Sequence, residues 1–579
     1  MCGIFGLTKF KQDQLNLVRD SLNTLYHRGP DQWNEFYDEQ IYMGHRRLSI
    51  LDLSEHGKQP MISKDENVII TVNGEIYNFN ILKKELKTKY TFKSTSDSEV
   101  ILYGYIEWGI DVLLEKIDGM YAMSIYDKEK DELFLARDRV GIKPLFYGII
   151  KNQISWASEL KAIQKFYEGK NILSYDYTAL YDFLTYRFIP TPKSLYKNIY
   201  KLEPGHYLKI NTKTNSLEKI QYWQLEVKQI NDDVSTAKTK LYQLLEKSVH
   251  EQMVADVPVG FFLSGGVDSS TVVALATKKY NNINTFSIGF TDKVHDETYY
   301  ADILADLYQT KHHKKTVDED LVQSIFGKIK TWFDEPFGDT SCFPTYLVSE
   351  FAKKNSTVVL TGDGGDEIFG GYRWYKKFEK VRSTPLKNLS FLKKIISDLS
   401  FKKFFFNQTL KKLDIIFTND EVEQYALIRG AVPKKQKLKY KKAWNITHDY
   451  DDFWYYRKFY KKELDLYTRL QYVDFHTYLP DDILTKVDRV SMSVSLECRV
   501  PFLKKEVIEY SFSLKPNVRI YNQSLKGILK ETFNQHLPKE IIQRGKRGFS
   551  IPLHSWKGLL KNHKSKQEKI LDDFNFYVE

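Results

Sequence analysis

The hydrophobic and polar positions of the chain follow one pattern up to about residue 210 and another beyond it. In the first part, short segments alternate apolar and polar residues, which is typical of half-buried strands. Helical spacing is confined to short stretches such as 14–27 and 98–109. Several hairpins with few helices predict a sandwich of antiparallel sheets. The strand-like segments include "NVIITVNGEIYN" (67–78), "MYAMSIYDKEKDELFLARD" (120–138) and "PLFYGIIKNQISWASE" (144–159).

Beyond residue 212 apolar runs alternate with helical segments. Strands that alternate with helices predict a parallel sheet, with ligands bound at the carboxyl ends of its strands. We therefore place a domain boundary near residue 212, between an α+β domain (1–212) and an α/β domain (213–579). The elements predicted in the second domain are helix 234–255, strand 257–263, helix 270–280, strand 283–290, helix 297–308 and strand 356–360.

Composition narrows the class of protein. Hydrophobic residues make up 42% and charged residues 28% of 579 residues, an ordinary globular balance. The sequence has no secretory signal and no run of 18 apolar residues, so neither export nor a membrane span is predicted. Three widely spaced cysteines, Cys2, Cys342 and Cys498, favour a reducing, cytoplasmic compartment.

The net charge of +11 is compatible with nucleic-acid binding, but lysine is spread along the chain. It is densest in "FLKKIISDLSFKKFFF" (391–406), which favours a solvated amphipathic helix over a nucleic-acid site. We predict a helical insertion at about 380–445.

The segment "FFLSGGVDSS" (261–270) joins a predicted strand to a predicted helix. Gly265 and Gly266 allow the backbone to approach a phosphate, and the helix N-terminus favours negative charge. Asp268 suits Mg²⁺, and the loop lacks the lysine of the nucleoside-triphosphate P-loop. The segment therefore resembles the pyrophosphate loop of ATP pyrophosphatase domains. Hydroxyl donors are supplied by Ser264, Ser269 and Ser270.

A second glycine-rich turn, "VVLTGDGGDEIFGGY" (358–372), follows the predicted strand 356–360. It carries Asp363, Asp366 and Glu367, and clustered carboxylates suit Mg²⁺ that bridges phosphate oxygens. Taken alone, the turn is also compatible with a calcium-like or a purely structural acidic turn.

Cys2 follows the initiator methionine in "MCGIFG". Removal of the methionine would leave a thiol and a free α-amine on one residue. The amine titrates near neutrality and can accept the thiol proton, which would make Cys2 a nucleophile.

An ordered set of motifs resembles the glutamine-hydrolysing asparagine synthetase family, in which a class II (N-terminal-nucleophile) amidotransferase precedes an ATP pyrophosphatase-type domain. The resemblance runs from residue 2 to about 553 and implies an αββα sandwich followed by a parallel α/β domain. The motifs are "MCGIFG", "HRGPD" (27–31), "RLSILD" (47–52), "NGEIYN" (73–78), "SDSEV" (96–100), "ARDRVGIKPLFYG" (137–148), "LSGGVDSS" (263–270), "TGDGGDE" (361–367) and "LECRVPFL" (496–503).

The resemblance implies that Cys2 is the glutaminase nucleophile and that Asn73 and Gly74 stabilise the oxyanion. In isolation, Asn-Gly would instead indicate a hairpin turn. Arg28 is expected to support the glutamine pocket without touching the ligand. The glutamine-binding residues implied by the resemblance are Arg47, Leu48, Ser49, Ile50, Asn73, Gly74, Glu75 and Asp97.

In the second domain the resemblance implies ATP as co-substrate, with Mg²⁺ held by Asp268 and Asp366. Asp363 matches the position linked to the acyl-adenylate, and Lys526 matches a lysine that neutralises its charge. Glu497 and Arg499 match an active-site stretch, although a structural ion pair is an equal alternative. The implied ATP-binding residues are Leu263, Ser264, Gly265, Gly266, Asp268, Ser269, Ser270, Ile288, Thr361 and Gly362.

The function that the resemblance implies is the amidation of aspartate to asparagine, with glutamine and ATP as the other substrates. The expected partners are thus small molecules, neither nucleic acid nor membrane, and a homodimer is left open. One alternative keeps the chemistry but amidates another carboxylate, such as a uronic acid in surface-polysaccharide assembly. A nucleic-acid binder or a tRNA-modifying pyrophosphatase would not need the glutamine-pocket residues, which are present here. A β-lactam-forming relative would be expected to lack the working cysteine, which is also present.

Overall fold

The computed structural model describes residues 2–292, 296–385, 412–413 and 415–545. The amino-terminal part contains two six-stranded antiparallel sheets, ordered β10-β8-β9-β1-β3-β2 and β12-β11-β7-β6-β5-β4. Their strands are β1 (Cys2–Thr8), β2 (Gln32–Tyr37), β3 (Ile41–Arg47), β4 (Met61–Ile62), β5 (Val68–Ile76), β6 (Gly119–Asp127), β7 (Glu132–Arg137), β8 (Phe146–Ile150), β9 (Gln153–Ala157), β10 (Ile199–Lys201), β11 (His206–Asn211) and β12 (Leu217–Gln221).

The central strands of both sheets are buried on both faces. On β1, Ile4 packs between the sheets while Phe5 packs outward under helices. On β5, Ile69 packs between the sheets and Ile70 packs outward in the same way. The layers are therefore helix, sheet, sheet and helix, which confirms the predicted αββα class. The helices are α1 (Leu15–Asn23), α2 (Phe79–Leu86), α3 (Glu99–Lys116), α4 (Leu160–Tyr167) and α5 (Tyr177–Tyr186).

The second part is built on a five-stranded parallel sheet ordered β15-β14-β13-β16-β17. Apolar residues cover both of its faces, since Phe261 and Phe286 belong to separate cores. This confirms the predicted parallel α/β domain. The strands are β13 (Val259–Phe262), β14 (Asn284–Phe290), β15 (Lys311–Val317), β16 (Val358–Leu360) and β17 (Glu497–Arg499).

Helices pack against this sheet and extend beyond it. They are α6 (Val234–Gln252), α7 (Val267–Ala276), α8 (Thr298–Leu307), α9 (Glu319–Ile325), α10 (Ile329–Trp332), α11 (Cys342–Ala352), α12 (Gly365–Phe369), α13 (Arg373–Ser383), α14 (Glu421–Ile428), α15 (Lys434–Ala443), α16 (Trp454–Phe459), α17 (Leu466–His476), α18 (Thr485–Met492), α19 (Lys505–Ser513), α20 (Pro516–Arg519), α21 (Gly527–Thr532) and α22 (Lys539–Gln543). Within the described ranges, no helix combines the length and the apolar character needed to span a bilayer.

Residue 212 lies in the turn between β11 and β12, so one strand of the second sheet follows the proposed boundary. The boundary itself stays a prediction. The helical insertion predicted at about 380–445 contains α14 and α15, but the lysine-rich 391–406 lies outside the described residues.

Candidate functional site

Cys2 is the first residue of β1, which lies between β3 and β9. The strand brings the thiol opposite Arg47 on β3, because Cys2 and Arg47 are paired in the antiparallel register. Gly6 on the same strand is required by packing, since a Cβ there would overlap the ring of Trp156. Burial raises the pKa of the Cys2 thiol. The thiol is therefore protonated at neutral pH and needs a base to become a nucleophile.

Asn73 lies beside Cys2 on the facing sheet. Its Oδ1 accepts a hydrogen bond of 2.9 Å from the Cys2 nitrogen. Its Nδ2 is buried and has no hydrogen-bond partner among the described residues. An unsatisfied buried amide is costly, so this donor is available for a developing oxyanion.

Asn73 and Gly74 do not form the hairpin turn that Asn-Gly indicates in isolation. They lie within β5 and pair with Ala122 and Tyr121 of β6. Gly74 has no room for a side chain, because a Cβ would overlap the Met120 carbonyl oxygen. The glycine therefore allows close strand packing beside Cys2.

The Arg47 guanidinium is held in place by uncharged acceptors. Nη1 donates to Gln32 Oε1 at 2.8 Å and Nη2 donates to the Leu51 carbonyl at 3.0 Å. Sequence reasoning missed Gly57, where a Cβ would lie 2.6 Å from Arg47 Cζ. Because none of these partners is a carboxylate, the positive charge of Arg47 stays available to an anionic ligand.

The segment after β3 completes the rim around the thiol. The Leu48 backbone N–H bonds to the Cys2 thiol, and the Ser49 N–H donates to Asp31 Oδ2 at 2.8 Å. The Ile50 carbonyl accepts from the Asp256 N–H at 2.9 Å, which ties this rim to the second domain.

Two predicted glutamine-binding carboxylates are buried near Cys2. Burial and the charge of Asp97 hold the pKa of Glu75 well above its usual range. Asp97 Oδ2 accepts from the Ile76 N–H at 2.6 Å, yet burial still raises the pKa of Asp97. These two carboxyls would gain from a ligand ammonium, because a cation lowers the cost of their ionisation.

Arg499 reaches this carboxyl pair from β17 of the second domain. Its Nη2 lies 3.3 Å from Glu75 Oε2, and its Nε lies 2.6 Å from Glu497 Oε1. The structural ion pair left open by the sequence is therefore present. The contact of Arg499 with Glu75 also joins the amino-terminal part to the parallel sheet, which sequence reasoning missed.

At the carboxyl edge of the parallel sheet lies a cavity of about 770 Å³. The structure brings most of the predicted ATP-binding residues together there, as expected for the ends of adjacent parallel strands. Gly265 and Ser270 are not on its lining; Ser270 Oγ instead donates to the Gly266 carbonyl at 2.6 Å. The predicted residues on the lining are Leu263, Ser264, Gly266, Asp268, Ser269, Ile288, Thr361, Gly362, Asp363 and Asp366.

The glycines of the second loop allow the two loops to meet. A Cβ at Gly362 would lie 2.8 Å from both the Asp268 Cβ and the Ser269 nitrogen. A Cβ at Gly365 would lie 2.7 Å from Asp268 Oδ1. The two motifs, far apart in sequence, thus form one polar surface.

Lys526 enters this surface from the start of α21. Its Nζ lies 2.5 Å from Asp366 Oδ1 and also pairs with Asp268 Oδ2. Gly371, which sequence reasoning missed, makes the arrangement possible, because a Cβ there would overlap Asp366 Oδ1 and Lys526 Cε. One ammonium thus lies between two carboxylates.

The two carboxylates fit the requirements of Mg²⁺. Asp268 Oδ1 is buried and has no hydrogen-bond partner in the part of the chain that the structure describes. Mg²⁺ is commonly held by one or two protein carboxylates together with phosphate oxygens and waters. The described residues contain no cluster of three or more His, Cys, Asp or Glu that could hold a metal by itself. Asp268 and Asp366 could therefore hold Mg²⁺ together with a bound phosphate.

The lining of the cavity also carries charges that sequence reasoning missed. Lys486 Nζ donates to Ser341 Oγ at 2.9 Å and lies 3.2 Å from Asp339 Oδ2. At the loop 263–270, Arg544 donates to the Gly265 carbonyl at 2.9 Å. These residues come from segments without a recognisable motif, so only the fold reveals them.

Known proteins resemble the chain over both parts. A family described as asparagine synthase matches residues 240–574, and one described as glutamine amidotransferase domain matches residues 1–223. The glutamine-hydrolysing asparagine synthetase 1 of Bacillus subtilis is 34% identical, over 97% of this chain and 88% of that protein. A putative glutamine-hydrolysing asparagine synthetase of Methanocaldococcus jannaschii is 40% identical, over 70% of this chain and 81% of that protein. Since the matches span both domains, the chain belongs to the family of glutamine-hydrolysing asparagine synthetases.

Proposed function

We propose that the protein converts aspartate to asparagine with glutamine as nitrogen donor and ATP as activator, releasing glutamate, AMP and pyrophosphate. The observation that carries the proposal is the presence of two chemically distinct sites in one chain. One is the Cys2–Asn73 pair, and the other is the cavity around Asp268, Asp366 and Lys526. Relatives that match this chain over nearly its full length are named glutamine-hydrolysing asparagine synthetases.

In the first site Cys2 would attack the side-chain amide of glutamine. With Met1 removed, the Cys2 nitrogen would be an amine, 2.9 Å from Asn73 Oδ1. This amine would take the proton of the thiol, whose pKa is raised by burial, and would pass it to the leaving ammonia. The buried Asn73 Nδ2 would donate to the oxyanion, and water would then hydrolyse the thioester.

Glutamine would be oriented by its amino-acid end. The Arg47 guanidinium would receive the α-carboxylate, and Glu75 and Asp97 would receive the ammonium. The ligand ammonium would favour ionisation of both carboxyls, whose pKa values are raised by burial.

In the second site the loop 263–270 would surround the phosphates of ATP. Mg²⁺ held by Asp268 and Asp366 would neutralise charge on the phosphate oxygens. Lys526 would stay close to the reacting phosphate and stabilise charge that develops on it. The carboxylate of the acceptor would attack the α-phosphate, which displaces pyrophosphate and gives an acyl-adenylate.

Two charged residues on the lining of the cavity support an amino-acid acceptor. Asp339 and Lys486 place an anion and a cation 3.2 Å apart on the lining. A zwitterionic head, with an ammonium next to a carboxylate, would pair with both charges. A uronic acid has no ammonium and would pair only with Lys486.

Ammonia would have to travel between the two sites without entering bulk water, where protonation would remove its nucleophilicity. A cavity of about 40 Å³ lies between the domains, with Leu145 on one side and Phe333 on the other. This volume suits about one small molecule. A thiol nucleophile also requires a reducing environment, which supports a cytoplasmic site of action.

The proposal is tested by offering a panel of acids with glutamine and Mg-ATP. Aspartate is expected to drive the release of AMP and pyrophosphate, with asparagine as the amidated product found by mass spectrometry. Amidation of a uronic acid, with no asparagine at saturating aspartate, would replace the proposed acceptor.

A further inference from the structure

Arg28 lies at the junction of the two domains and is completely buried. In its own domain, Nε donates to the Cys2 carbonyl oxygen at 3.1 Å and Nη1 donates to Glu159 Oε1 at 2.8 Å. The carbonyl contact is direct, so the position of this guanidinium bears on the backbone of the nucleophile.

The remaining partner of Arg28 comes from the other domain. Asp488 on α18 accepts two hydrogen bonds, from Nη1 at 2.8 Å and from Nη2 at 3.1 Å. A bidentate pair fixes the plane of a guanidinium as well as its distance. Asp488 is itself buried, and the Lys143 ammonium lies 3.7 Å from its Oδ1.

Glu159 cannot replace Asp488 as the fixing partner. The Glu159 carboxylate also meets His27, Lys161 and Arg489, so it is shared among four positively charged or titratable groups. Removal of Asp488 would leave Arg28 buried with part of its charge uncompensated, and the guanidinium would shift toward Glu159. Its hydrogen bond to the Cys2 carbonyl would be distorted by that shift.

We propose that Asp488 of the synthetase domain is a positioning residue for the Cys2 nucleophile, acting through Arg28. The inference rests on the proposed role of Cys2 in glutamine hydrolysis. The glutaminase site is thus completed by a carboxylate from the domain that consumes the ammonia. Lys486, two residues earlier on α18, lines the ATP cavity, so one helix both lines that cavity and binds Arg28.

The test compares Asp488→Asn with Asp481→Asn in the full-length protein. Asp481 is a matched control, because it is also a buried carboxylate that crosses the interface: it accepts from the Thr191 N–H at 2.7 Å and does not contact Arg28. For Asp488→Asn we expect the kcat of glutamine hydrolysis to fall roughly ten- to hundredfold, since a displacement of about 1 Å costs about a hundredfold.

Five further results are expected. The KM for glutamine stays within about twofold, and so does AMP formation from aspartate and ammonium, because the pocket and the synthetase cavity are not displaced. Asp488→Glu recovers part of the lost kcat. Arg28→Lys, which keeps the charge without the bidentate geometry, shows the same loss as Asp488→Asn. Asp481→Asn keeps the glutaminase rate.

An unchanged kcat in Asp488→Asn would overturn the inference. An equal loss in ammonium-dependent synthesis, or the same loss in Asp481→Asn, would also overturn it, because both indicate general damage to the interface. If Asp488→Asn does not fold, Arg28→Lys decides by the same criteria. If the proposed function itself were wrong, Cys2→Ala would retain glutamine hydrolysis. That result distinguishes failure of the proposed function from failure of this inference.

Discussion

Gly371→Ala tests whether the two carboxylates and Lys526 form a reaction centre, without changing any of the three. A Cβ at position 371 would lie 2.8 Å from the Asp366 Cγ and would overlap Asp366 Oδ1 and Lys526 Cε. Carbon atoms are in favourable contact at about 3.5–4.0 Å, so the Asp366 carboxylate must withdraw by about 1 Å. Displacing a reacting group by about 1 Å costs about a hundredfold in rate, which equals about 2.7 kcal/mol.

The assay is AMP and pyrophosphate formation from aspartate, ammonium and Mg-ATP, with glutamine hydrolysis measured in parallel. In Gly371→Ala we expect the rate of AMP and pyrophosphate formation to fall about a hundredfold. The rate of glutamine hydrolysis should change by less than about twofold. Gly327→Ala is the matched control, because a Cβ there would meet nothing within 4 Å. Full ammonium-dependent activity in Gly371→Ala would refute the proposed reaction centre.

Three further predictions concern the first site and a buried acid. Cys2→Ala removes the nucleophile, so glutamine hydrolysis should vanish while AMP formation from aspartate and ammonium stays within about twofold; hydrolysis retained by the pure variant would refute the assignment. Gly57→Ala would place a Cβ 2.6 Å from Arg47 Cζ, and losing a charge-assisted hydrogen bond worth about 1.5–3 kcal/mol should raise the KM for glutamine at least about tenfold. A KM unchanged in steady-state kinetics would mean that Arg47 does not hold the ligand. Burial raises the pKa of Glu367 to about 7. Between about pH 4.5 and 7 the folded state therefore binds a proton that the unfolded state releases. Because of this difference, the free energy of unfolding falls as pH rises. Glu367→Gln cannot titrate, so its free energy of unfolding relative to wild type should rise by about 2.5 kcal/mol between pH 5 and 8 in urea denaturation; a constant difference would contradict the shifted pKa.

Local patterns of apolar and polar residues predict much of the fold. β6 and β7, and likewise β8 and β9, are hairpins whose alternating residues and polar turns are contained within one short segment. Helices such as α6 and α8 were predicted from spacing within one segment as well. The misleading case is Asn73-Gly74, where local turn chemistry indicates a hairpin but strand pairing with β6 determines the conformation.

The cross-domain partners could not be predicted in this way. Arg28 and Asp488 are 460 positions apart, and nothing in either local sequence indicates the other. The same holds for Arg499 with Glu75. A single sequence records which charges are present but not which of them share a buried site, because that depends on how the domains pack.

Glycines that leave space for functional side chains could not be recognised from the sequence, for a related reason. Gly57 and Gly371 lie outside the loop 263–270 and have no positive φ that a turn would require. Their importance is evident only from the side chains beside them, Arg47 for the first and Asp366 for the second.

The central claim is that nitrogen passes from the Cys2 site to an adenylate formed at the second site. Its most direct test uses glutamine labelled with ¹⁵N in the side-chain amide, together with aspartate, Mg-ATP and an excess of unlabelled ammonium. Mass spectrometry should find asparagine that carries ¹⁵N in its amide, with AMP and pyrophosphate formed in equal amounts. Label that remains in ammonium, or glutamate and AMP released without asparagine, would contradict the account.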